Sequence, residues 1–130
     1  MLEEAEIDVW VFGGWAEELH KLITPRAHND IDLLYPAEDF AVVDSFLKEK
    51  ELKVVKEFPH KRAFLYKGVM VELFMVTNET TDFFSSYKHH WPTQTFIGEA
   101  VEGMRVCSTE SLRDYREKHH LVEEAYNAYR

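Results

Sequence analysis

Cys107 is the only cysteine in 130 residues, so no internal disulfide can form and a reducing, cytoplasmic setting fits. The plain expectation for it is a buried, inert thiol rather than a reactive one. No apolar run approaches the roughly 18 residues of a membrane span, and Met1-Leu2-Glu3-Glu4 does not begin a signal peptide. Basic residues are scarce: 15 Lys and Arg face 24 Asp and Glu, a net charge of −9. That balance disfavours DNA or RNA backbone binding as the main role and suits a cationic or neutral small partner better. Repeats, low-complexity segments and linkers are absent, as are the Walker loop, Gly-x-Gly-x-x-Gly and Gly-x-Ser-x-Gly. What remains is a chain of one ordinary domain, residues 1–130, with 45% hydrophobic residues for its core.

The informative stretch runs from Val11 to Leu34. It opens on an apolar run ending in Gly13-Gly14 and closes on Asp30-Ile31-Asp32-Leu33-Leu34. The latter reads as a strand start, and alternation puts Asp30 and Asp32 on one face with Ile31 turned into the core. Two neighbouring carboxylates repel unless something positive lies between them. A hard divalent cation such as Mg²⁺ answers that need. A Gly pair opening a helix lets backbone N–H groups approach an anion. Together these suggest a metal-assisted nucleotide site.

In chain order, Ile7–Phe12 is a buried strand candidate. A helix follows Gly14, with Trp15, Leu19, Leu22 and Ile23 as its apolar stripe, and Thr24-Pro25 ends it. A second helix is expected over about Glu38–Lys50, with Phe40, Val43, Phe46 and Leu47 inward and its end charges suited to the dipole. Three strands follow: Leu52–Phe58, Lys61–Tyr66 and Val69–Val76. The aromatic-rich Thr77–Gly98 gives no clear pattern and could hold a short helix, a loop and an edge strand. Met104–Cys107 is a last short strand candidate. Ser108 caps a final helix with Glu110 in its first turn. Leu112, Tyr115, His119, Val122, Tyr126 and Tyr129 set the face on which that helix packs. This order gives an α+β fold, a mixed sheet with helices packed on it.

Glu72 is the odd residue of VMVELFMV. Two readings stay open: an outward-facing Glu on a half-exposed strand, or a third carboxylate on the side of Asp30 and Asp32. In the second case the three could hold two metals about 4 Å apart and clamp an in-line phosphoryl displacement. A carboxylate there could also take the proton of an acceptor hydroxyl, typically worth about 10²–10⁴-fold.

Gly13-Gly14-Trp15-Ala16 followed by Arg26-x-His28-x-Asp30-Ile31-Asp32-Leu33 resembles the signature of the antibiotic nucleotidyltransferases. These are the aminoglycoside and lincosamide enzymes of the superfamily that includes DNA polymerase beta. The match is close over residues 8–34. Glu72 supports it more loosely, and so do Gly103-x-x-Val106-Cys107-x-x-Glu110 and Tyr115. The resemblance implies the nucleotidyltransferase fold, a small mixed sheet flanked by helices. It implies Asp30, Asp32 and Glu72 as Mg²⁺ ligands, two ions in all, with Glu72 as ligand or base. It implies Gly13 and Gly14 as contacts to a nucleoside triphosphate. The implied reaction moves a nucleoside monophosphate, AMP from ATP or its counterpart from another triphosphate, onto a hydroxyl and releases pyrophosphate.

Several positions depart from the family pattern. Glu72 stands where many relatives have Asp, and the extra methylene moves the head group by about 1 Å or more. Glu17-Glu18 replaces an apolar-Asp pair, Leu22 stands at a common Gly, and Lys118-His119-His120 replaces a Lys-Asp pattern. Larger relatives add a helical domain that this chain has no room for. The short lincosamide-type enzymes build the acceptor site across a homodimer, and the same is expected here. The stretch from Phe83 to Trp91 is the candidate acceptor surface, against plain core packing. Arg26 either pairs with triphosphate oxygens or braces the acidic cluster. His28 either touches phosphate or props the strand. Lys61, Arg62, Lys67 and Lys88 are possible phosphate contacts or merely solvated lysines and arginine. His119 with Glu123 and His120 with Glu124 have helical spacing for a metal but no third ligand.

The expected function is therefore Mg²⁺-dependent transfer of AMP from ATP to a hydroxyl of a small cationic acceptor such as an aminoglycoside or lincosamide. Nucleic acid and membrane are not expected partners. The alternatives are AMPylation of a partner protein and a non-catalytic binding protein on the same fold.

Overall fold

The chain builds a five-stranded sheet around the strand that begins at Asp30, and the computed structural model describes residues 2, 7–21, 30–96 and 104–129. In order these are β1 (Trp10–Phe12), α1 (Gly13–Leu19), β2 (Asp30–Pro36), α2 (Ala41–Glu49), β3 (Val54–Phe58), β4 (Lys61–Tyr66) and β5 (Val69–Val76), followed by β6 (Thr80–Phe83), β7 (Tyr87–His90) and α3 (Thr109–Tyr129). The strand order is β1-β2-β5-β4-β3, and β6 and β7 form a separate two-stranded sheet. β2 pairs with β5 in parallel, and the other ladders of the large sheet are antiparallel.

Strand alternation sorts the core into two halves. Leu33 and Tyr35 of β2, with Val71 and Leu73 of β5, face α2 and pack on Phe40, Val43, Phe46 and Leu47. Leu34 of β2, with Phe74 and Val76 of β5, faces the other way, onto Leu112, Val122 and Ala125 of α3. The expected stripe of α2 is thus its core face. Just ahead of that helix, whose N-cap is Phe40, Asp39 Oδ1 accepts the N–H of Ala41 at 2.9 Å. Ser108 caps α3, where its Oγ accepts the N–H of Ser111 at 3.2 Å. No described helix is long and apolar enough to cross a membrane.

Some sequence expectations need correction. β1 is shorter than Ile7–Phe12, although Ile7 is still buried with the α2-side core. In α1 it is Ala16 that is fully buried, while Trp15 is exposed; Leu22 and Ile23 lie outside the described residues. Ala16 is the buried residue of this seven-residue helix. Residues 77–90 hold no helix. Asn78 and Glu79 take positive φ and return the chain straight into β6, and Phe84 and Ser85 do the same into β7. Around Met104–Cys107 the described residues form isolated bridges at Met104 and Val106, the latter parallel to Val11, and not a strand. The Val11–Val106 bridge is held by Val11 N–H to Arg105 C=O at 2.8 Å and Cys107 N–H to Val11 C=O at 2.9 Å. Cys107 is fully buried, and burial pushes its thiol far above the ordinary range, as befits an inert residue.

Candidate active site

The parallel ladder sets Asp32 directly beside Glu72, and Asp30 beside Met70. Residues 30, 32 and 34 share a face with 72, 74 and 76 by strand parity, which is the α3 side. Asp30, Asp32 and Glu72 therefore converge, each offering a carboxylate oxygen within 4.8 Å of the others'. Glu72 is only 7% exposed, so the outward-facing alternative does not hold.

Three carboxylates this close pull one another's proton affinities apart. Burial, reinforced by Glu72, pushes Asp32 up to about 8 from 3.8. Burial and Glu72 also raise Asp30. Burial works to raise Glu72 as well, but hydrogen bonds with Asp32 and Lys61 outweigh it and hold that carboxyl below its ordinary value. Asp32 Oδ1 is buried without a hydrogen-bond partner among the described residues. An orphaned carboxylate oxygen within a set of hard oxygen donors fits a divalent cation such as Mg²⁺.

Gly13 forms the floor beneath Asp32. Its φ is +68°, and a Cβ built there would lie 2.6 Å from Asp32 Oδ2. The glycine is required by the carboxylate's seat and by the backbone at once. Gly14 follows in the first turn of α1. Arg26 and His28 lie outside the described residues.

A cavity of about 680 Å³ opens over the site, with Asp32 and Glu72 in its wall. Its far side is α3, which presents Tyr115, His119, Val122 and Tyr126. The long stripe of α3 thus packs on the core at Leu112 and Val122 but lines open space at His119, which is exposed, as is Tyr129. His119 Nδ1 pairs with Glu123 Oε1 at 3.2 Å on this wall. Arg116 of α3 is ion-paired with Glu17 of α1 at the cavity's edge. Tyr115 is backed by Trp91, whose ring stacks on it at 5.5 Å. Trp91 and Phe83 themselves are buried in the core, so core packing rather than an acceptor surface accounts for both.

Sequence reasoning grouped Lys61 with the possible phosphate contacts or solvated lysines and did not foresee its pairing with the third carboxylate: it lies at 5% exposure with Nζ 2.5 Å from Glu72 Oε1. The one available signal was a lysine opening a largely apolar strand. Nor did it separate the cavity-lining residues of α3 from the packed ones, because both share one helical period. Arg62, grouped with the possible phosphate contacts, is on the opposite face, bonded to Asp44 at 2.8 Å and stacked on Phe40.

No curated protein matches the chain in sequence. Among solved structures it is similar to ANT(2'')-Ia in complex with adenylyl-2''-tobramycin, at 15% identity and a TM-score of 0.61, covering 99% of this chain and 92% of that one. It is also similar to the lincosamide antibiotic adenylyltransferase LnuA, lincomycin-bound, at 16% identity and a TM-score of 0.69, covering 96% of this chain and 89% of that one. These likenesses establish the nucleotidyltransferase fold. The Aminoglycoside-2''-adenylyltransferase family model matches residues 1–120. Matched over nearly its whole length, and carrying that fold, the chain belongs to the aminoglycoside-2''-adenylyltransferase family.

Proposed function

We propose that the protein transfers AMP from ATP to a hydroxyl of a small cationic acceptor of the aminoglycoside or lincosamide type and releases pyrophosphate. The observation that carries this is the convergence of Asp30, Asp32 and Glu72, with an orphaned Asp32 oxygen, at the wall of a cavity large enough for a small molecule. The three carboxylates are the residues that would hold Mg²⁺. When bound, the metal neutralises charge on the triphosphate and on the leaving pyrophosphate.

The chain's own residues supply position and proton handling. In this reading Gly13 and Gly14 contact the nucleotide, with Arg26 and His28 as its further candidate contacts. Asp32 is kept in place by its seat on Gly13. Glu72, held ionised by its hydrogen bonds, accepts the proton of the acceptor hydroxyl. The hydroxyl oxygen bonds to the α-phosphorus as the bond to the bridging oxygen breaks. Glu123 on the cavity wall and the net charge of −9 favour a cationic acceptor. A homodimer that completes the acceptor side belongs to the same proposal, and sedimentation velocity checks it by mass.

Pyrophosphate release with ATP and Mg²⁺ is measured across aminoglycosides, lincosamides and other hydroxyl compounds. The proposal expects release that needs an acceptor and disappears in Asp32→Asn. Release unaffected by Asp32→Asn refutes the site. Labelled AMP on a protein instead of on any small compound refutes the acceptor class.

A further inference from the structure

Lys61 opens β4 on the same face of the sheet as Asp32 and Glu72, and it is almost fully buried. An ammonium at that depth is costly unless its surroundings answer it. Three groups do: Glu72 Oε1 at 2.5 Å, the Phe74 ring at 4.9 Å and the Tyr126 ring at 5.6 Å. In the β4–β5 ladder Lys61 stands opposite Phe74, and Ala63 stands opposite Glu72. The lysine therefore reaches diagonally along the ladder, past a residue that carries only a methyl. Among the described residues it is the one cation paired with the three carboxylates.

We propose that Lys61 is a positioning residue for adenylyl transfer: it holds one oxygen of Glu72, fixes the third carboxylate beside Asp30 and Asp32, and sets how tightly the site takes a divalent cation. The inference rests on the adenylyl-transfer proposal above. It has two consequences of opposite sign. Without the ammonium, three carboxylates are left with no internal counter-charge, so a free divalent cation binds more tightly. Without the tether, Glu72 is no longer aimed, so the chemical step slows. General damage to the fold weakens both. A direct contact of Lys61 with the triphosphate acts first on KM for ATP.

The test is Lys61→Met, nearly the same length without the charge. Mn²⁺ binding to the nucleotide-free protein is followed by electron paramagnetic resonance, and kcat and KM for ATP by pyrophosphate release. The expected result is Mn²⁺ affinity higher by about fivefold and kcat lower by about 10–100-fold, with KM for ATP unchanged. Unchanged or weaker Mn²⁺ binding in the folded variant overturns the proposal. So does a raised KM for ATP with kcat intact. Should Lys61→Met not fold, Lys61→Gln, which keeps an N–H donor for Glu72, is expected to show the same gain in Mn²⁺ affinity, and its absence counts equally against the idea. Wild-type protein that neither takes up Mn²⁺ nor releases pyrophosphate overturns the adenylyl-transfer proposal and this one with it. Wild-type protein that does both, with Lys61→Met indistinguishable from it, overturns this one alone.

Discussion

Gly13→Ala separates the two demands placed on one residue. The backbone at Gly13 has φ +68°, where an L side chain costs about 1–2 kcal/mol. The new methyl would also lie 2.6 Å from Asp32 Oδ2, 3.2 Å from its Cβ and 3.3 Å from its Cγ. The two side chains must therefore part by roughly 1 Å to reach ordinary contact. Asp32 cannot retreat along the strand, because β2 is paired with β1 on one side and β5 on the other. Its side chain must twist instead, at about 0.5–1.5 kcal/mol. The sum is about 1.5–3.5 kcal/mol, a fall in melting temperature of about 5–14 °C. A carboxylate displaced by roughly 1 Å also slows transfer by about 10²-fold. Gly68→Ala is the matched control. Gly68 has φ +80° in the turn between β4 and β5, and a Cβ there meets nothing within 4 Å. It incurs only the backbone cost and keeps full activity. Calorimetry and pyrophosphate release on both variants decide the matter. A fully active Gly13→Ala, or a Gly68→Ala that loses as much activity, refutes the reasoning.

Three further outcomes follow from the same geometry. In EDTA the folded protein holds on Asp32 a proton that the unfolded carboxyl releases, so Asp32 makes stability fall as pH rises from 3.8 to about 8. Melting curves of wild type and Asp32→Asn should differ by that slope, and identical slopes would rule it out. Burial, with Lys61 nearby, lowers His60 to about 4 from 6.5, so the unfolded state takes up the proton first. Its contribution is present above 6.5 and lost as pH falls to about 4, and His60→Phe should be less acid-sensitive than wild type over that window. Ser108→Ala removes the cap of α3 and should cost about 1 kcal/mol in denaturant titration while leaving transfer unchanged.

Much of this architecture was legible because its signals are local. Lys61–Tyr66 and Val69–Val76 are strands over the expected residues, bounded by Pro59 and by Lys67-Gly68. The common face of Asp30 and Asp32 follows from alternation alone. The side taken by Glu72 does not. It depends on the register between β2 and β5, and a slip of one residue would send it to the opposite face. The β6–β7 hairpin was missed because its turns lack the usual punctuation: Asn78, Glu79, Phe84 and Ser85 adopt positive φ with no glycine among them. The part of Lys61 was illegible because it rests on a diagonal reach across a ladder. For α3, periodicity identifies a face but not whether that face meets side chains or a cavity.

The ladder that joins Asp32 to Glu72 is also the least local pairing in the large sheet. β3, β4 and β5 follow one another as an antiparallel meander, whereas β2 reaches β5 only after residues 33–71 have closed into a loop. Loop-closure entropy makes such a contact late in folding relative to its neighbours. A chain halted at the meander holds Glu72 and Lys61 on adjoining strands, yet has no aspartates beside them. The carboxylate cluster is thus completed only with the sheet itself, and a misfolded or arrested molecule is silent instead of partly active.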